Sequence, residues 1–90
     1  MVELKNYMET LVDELMVNVL RDYDCPYKEE ERFKMDIKAI ALNNLPTMYY
    51  VSHRGEAYNK VKMLEPQFKL SIIQEIVKAV EIVRKNPRGH

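Results

Sequence analysis

The residue types that could do chemistry are concentrated in one stretch of the 90-residue chain, Thr47-Met-Tyr-Tyr-Val-Ser-His-Arg-Gly-Glu-Ala-Tyr58, followed by Lys60. Tyr49, Tyr50 and Tyr58 offer ring faces, and Arg54 offers a planar cation that also stacks. Ser52 and Thr47 supply hydroxyls, and Lys60 a further positive charge. If Gly55-Glu56-Ala57 open a helix, their backbone N–H groups form an anion site. Rings, an arginine and a helix N-terminus together can hold a base and a phosphate. The plainer reading is that the tyrosines pack one face into a core and leave their hydroxyls in water. Residue types alone leave both open.

Catalytic templates fail. The chain has no Gly-x-Ser-x-Gly and no Walker loop, and its two histidines, His53 and His90, are far apart in sequence. Cys25 lies between Asp24 and Pro26 with no nearby base to make a thiolate, so it reads as a single exposed or half-buried thiol. A metal site assembled from Cys25, His53, His90 and a carboxylate is geometrically possible but is not the expected reading, and Glu29-Glu-Glu31, without His or Cys at short spacing, reads as a solvated charge run. The expectation is a protein that is not an enzyme.

The elements that must position this stretch are helical. Leu4, Tyr7, Met8, Leu11, Val12, Leu15, Met16, Val19 and Leu20 recur at helical spacing and predict a first helix over 2–22, stopped before Pro26. A second helix is expected over about 30–44, with Phe33, Ile37, Ile40, Ala41 and Asn44 on one face and Met35, Ala39 and Leu42 widening it. So much apolar surface predicts the most buried helix of the fold. Asn43-Asn44 can take the left-handed angles that close a helix, and Pro46 forbids its continuation. Thr47–Arg54 should be extended or turn-like, with β character at Met48–Val51. A third helix is expected from Gly55 to about Leu64, with Tyr58, Val61 and Met63 or Leu64 inward, either separate from the next helix or continuous with it as one kinked helix. A fourth runs from Pro66, tolerated in a first turn, through Phe68, Leu70, Ile72, Ile73, Ile76, Val77, Val80 and Val83 to about Asn86. The fold class is all-α: one small domain, residues 1–90, of three to four helices with a short extended segment after the Leu-Pro break.

Composition sets the bounds. A chain that is 47% hydrophobic and 31% charged folds rather than staying disordered. It is too short for a second core, and one cysteine provides no internal staple, so pairing with a second copy is the expected source of further burial. No run of eighteen apolar residues marks a membrane span, and no signal peptide is visible, so a reduced cytoplasmic setting is expected. Net charge is zero, but residues 1–36 carry −5 (five Lys/Arg, ten Asp/Glu) and residues 37–90 carry +5 (nine against four). Direct binding of duplex DNA through its phosphates would call for a basic chain overall and is not expected.

Asn6-x-Met-Glu-x-x-Val12 resembles the opening helix of the late-competence ComFB family, and Asp36-Ile-x-Ala-x-Ala-Leu-Asn-x-Leu-Pro46 resembles its central signature. Tyr49, Ser52, Arg54, Gly55 and Tyr58 fit the Tyr-x-x-Ser-x-Lys/Arg-Gly-x-x-Tyr pattern that follows, and Asn86-Pro-Arg88 is similar to the family's end. The resemblance implies a cytoplasmic, mainly helical homodimer without catalysis, and a receptor for cyclic di-AMP or cyclic di-GMP. Carried over by position, Asn43, Pro46, Tyr49, Ser52, Arg54 and Tyr58 become ligand residues, with Lys60 beside Arg54 for phosphate. Two departures matter. The cysteine cluster with which some relatives bind zinc is missing, so no zinc is expected. Thr47 stands where a second proline is usual, which loosens the turn and bears on affinity rather than fold. The alternative function is a structural or protein-interaction dimer with no nucleotide ligand.

Overall fold

The computed structural model describes residues 2–24, 26, 29–51 and 65–85. Asn6 divides its first two elements. Ahead of it, Leu4–Asn6 form a strand (β1), where helical periodicity had predicted helix from residue 2; behind it, Tyr7–Arg21 form the first helix (α1). The reason is a cap: Asn6 takes extended angles, and its side-chain Oδ1 accepts from the Met8 N–H at 3.2 Å, satisfying one orphan donor of the first turn. Leu4, expected on the apolar stripe, is consequently 70% exposed.

Three helices are described. α1 buries Tyr7, Met8, Leu11, Val12, Leu15, Met16 and Leu20, spaced by one or two turns along one face. The second, Glu31–Asn43 (α2), buries Phe33, Ile37 and Ala41; the third, Pro66–Lys85 (α3), buries Ile72, Ile76, Ala79, Val80 and Val83. The expectation that α2 is the most buried helix is therefore corrected, since three of its residues are sealed against seven of α1. Met35 and Ala39 lie across the cylinder from Phe33 and Ile37 and remain in solvent, as apolar side chains often do. Leu70, expected inward on α3, is likewise exposed. The helix predicted from Gly55 to Leu64 falls outside the described residues.

α2 closes differently from expectation. Asn44 sits at φ −111°, not in the left-handed region. Its backbone N–H donates to the Ala41 carbonyl at 3.0 Å, and its side-chain Nδ2 donates to the Ile40 carbonyl at 2.9 Å. An asparagine side chain thus satisfies the orphan carbonyl that a left-handed residue would otherwise serve.

After Pro46, Tyr49–Val51 form a second strand (β2), antiparallel to β1 in the register Leu4 to Val51, Lys5 to Tyr50 and Asn6 to Tyr49. The extended segment foreseen after the Leu-Pro break is thus present, and its partner is the segment preceding α1. The fold is mostly α, with this two-stranded ribbon at one end. At the other end Tyr23 ties α1 to α3: its hydroxyl donates to Glu81 Oε2 at 3.0 Å, and Arg84 donates to the same oxygen at 3.1 Å while its guanidinium lies 5.2 Å from the Tyr23 ring centroid.

Candidate functional site

Asn6 positions the segment that carries the expected site. Besides capping α1, its Oδ1 accepts from the Met48 N–H at 2.8 Å, and the Tyr7 N–H donates to the Met48 carbonyl at 2.8 Å. Both backbone groups of Met48 are therefore held by the start of α1, and β2 follows directly. Strand alternation then separates the two tyrosines. Tyr50 turns inward, half-buried, its ring edge-on to Tyr7 with centroids 5.8 Å apart and planes at 87°. Tyr49 turns outward and is 60% exposed. Of the two ring faces foreseen here, one belongs to the core and the other is open to a ligand.

Of the remaining expected ligand residues, Asn43 ends α2 and Pro46 makes the break after it, both exposed. Ser52, Arg54, Tyr58 and Lys60 fall outside the described residues, as do Cys25, His53 and His90. Among the described residues no group of three or more His, Cys, Asp or Glu side chains is disposed to hold a metal ion, and no helix is long and apolar enough to cross a membrane.

The ribbon brings other residues to Tyr49. A groove of about 320 Å³ is lined by Tyr49 from β2, Lys5 from β1, Glu9, Thr10 and Asp13 from α1, and Lys38 from α2. Lys38 Nζ meets Asp13 Oδ2 at 3.0 Å, and Lys5 Nζ meets Glu3 Oε2 at 3.8 Å. The Lys5–Glu3 pair is open to solvent and worth about 0–1 kcal/mol, so Lys5 is not committed to its partner, whereas the Lys38 side chain is only 21% exposed and stays with Asp13. Sequence reasoning missed Lys5, Glu9, Thr10, Asp13 and Lys38. The signal that could have found the first of them was Asn6, a residue type favoured at a helix start, which releases Leu4 and Lys5 to pair as strand. A second hollow of about 290 Å³ lies between α1 and α2 over Met16, Leu20 and Lys34, away from Tyr49. It contains none of the residues that the motif singles out.

The sequence profile of the late competence development protein ComFB family matches residues 5–87. The chain belongs to the ComFB family. The match includes the ribbon from Lys5 on, all three described helices and the Asp36–Pro46 signature, so in ComFB terms the groove lies where the opening helix meets the segment after that signature. Membership points to a competence-related regulatory protein. No curated protein and no solved structure gives a significant match.

Proposed function

We propose that this ComFB-family chain is a non-enzymatic, cytoplasmic regulatory protein that acts as a homodimer and binds a cyclic dinucleotide, cyclic di-AMP or cyclic di-GMP. The observation that carries the reading is the exposed ring of Tyr49, which lines one groove with Lys5 on a strand that Asn6 anchors to α1. A ring on a strand that is already paired and anchored stacks on a base at a smaller entropic cost than one on an unpaired loop. Asn43 and Pro46 flank the same segment. In this reading Arg54 and Lys60 hold phosphates, Ser52 fixes orientation and Tyr58 offers a second ring. Calorimetric titration of the full chain with both cyclic dinucleotides tests it: saturable binding of at least one is expected, and binding of neither by the folded protein overturns it.

One observation favours a second reading, a protein-interaction dimer with no nucleotide. Leu4 and Val51 face each other across the ribbon, and both are exposed, 70% and 49% respectively. With Tyr49 they form an apolar edge that a partner chain would cover. A thermal-shift panel separates the two readings, since only a nucleotide receptor is stabilised by a cyclic dinucleotide.

A further inference from the structure

The groove beside Tyr49 holds a group that a phosphate does not explain. Asp13 and Lys38 answer each other at 3.0 Å, and Lys5 is exposed and only loosely paired with Glu3. Glu9 remains. It is exposed in the first turn of α1, lines the groove, and its carboxylate has no hydrogen bond or ion pair among the described residues. A bare carboxylate repels a phosphate-bearing guest unless the guest brings donors to meet it.

An ionised glutamate only accepts, through two adjacent oxygens. The Watson–Crick edge of guanine presents two adjacent donors, N1–H and N2–H, which match that pair. The same edge of adenine presents an acceptor, N1, beside a single donor, so one carboxylate oxygen faces a lone pair. Splayed bases are read in this way, by stacking on a ring and by hydrogen bonds to the exposed edge. Rejection of the mismatched base then comes from the unpaired acceptor, which is the stronger form of discrimination.

We propose that Glu9 is a specificity-determining residue, selecting a guanine-bearing over an adenine-bearing cyclic dinucleotide while Tyr49 stacks on the base and Lys5 attends a phosphate. This rests on the cyclic-dinucleotide reading of the site. The test is calorimetric titration of the full chain, its Glu9→Gln variant and a Glu14→Gln control with cyclic di-GMP and with cyclic di-AMP. The unaltered chain should bind the guanine ligand about tenfold tighter or more, the usual scale for one bidentate side-chain–base contact. Glu9→Gln, whose amide offers one acceptor and one donor as the adenine edge requires, should abolish or reverse the preference, chiefly by weakening the guanine ligand, and Glu14→Gln should leave the ratio alone. Equal affinities in the unaltered chain, a preference for adenine, or a ratio that ignores Glu9→Gln each overturn the assignment of Glu9 and leave the receptor standing. A folded chain that binds neither ligand removes the receptor and this assignment together.

Discussion

Asn6 Oδ1 accepts from the backbone N–H of Met48, 42 positions away in the chain, at 2.8 Å while also capping α1 through Met8. One side chain thus fixes both the start of the first helix and the approach to the candidate site. Asn6→Ala should destabilise the fold by about 1–3 kcal/mol, the loss of a cap plus a part-buried donor left unmet. Asn6→Asp, which can still accept both bonds, should recover most of that. Urea unfolding of the two variants checks this, and equal losses would refute it.

Tyr49 and Tyr50 are adjacent, yet they should respond oppositely. Tyr50→Ala removes a half-buried ring from its edge contact with Tyr7 and should cost about 1–2 kcal/mol of stability. Tyr49→Ala should change stability by no more than about 0.5 kcal/mol, yet weaken cyclic-dinucleotide binding about tenfold or more. Paired thermal melts and titrations read both effects, and a melt that falls equally for both variants would contradict the inward–outward division.

Arg54→Ala should abolish cyclic-dinucleotide binding with the helix signal in circular dichroism unchanged. Retained affinity would remove Arg54 from the site, whereas lost helix would make it structural.

The Tyr23 hydroxyl is held above its ordinary pKa, first by burial and then by its hydrogen bond to Glu81, against a smaller opposing pull from Arg84. A raised folded-state pKa means the folded chain keeps a proton that the unfolded chain gives up. The stabilisation is therefore complete below about pH 10, the ordinary tyrosine value, and is lost as pH climbs through the raised folded value. Tyr23→Phe should lose about 0.5–1.5 kcal/mol at neutral pH and flatten this alkaline decline. Stability curves of the two proteins at neutral and alkaline pH provide the comparison.

At the centre of the core, Phe33 is fully buried on α2, the helix with the narrowest buried stripe. Phe33→Ala should cost about 3–5 kcal/mol, much of the stability of a domain this small, and Met35→Ala on the opposite face close to nothing. Chemical denaturation of both variants tests whether position on the helix, rather than apolar type, sets the cost.

The helices were legible because burial imposes a period: Leu11, Val12, Leu15 and Met16 could hardly be read otherwise. The extended character of Tyr49–Val51 was legible too, from β-type residues after a proline. Its partner was not, because Leu4 mimics the apolar stripe of the helix that follows, and only the capping chemistry of Asn6 breaks the pattern. The groove escaped for the same reason. Lys5, Glu9, Lys38 and Tyr49 come from four elements, and their meeting depends on a strand register that no local spacing encodes.

A ribbon of three residue pairs is short, and two strands alone are at best marginally stable in water. The order of residues 4–6 and the order of β2 are therefore two views of one equilibrium. Any guest that stiffens Tyr49 must also slow amide hydrogen exchange at Lys5 and Asn6, and any molecule that peels residues 4–6 away must weaken the guest by the same factor. The chain's opening residues are in this sense a built-in reporter, and a built-in handle, for whatever occupies the groove.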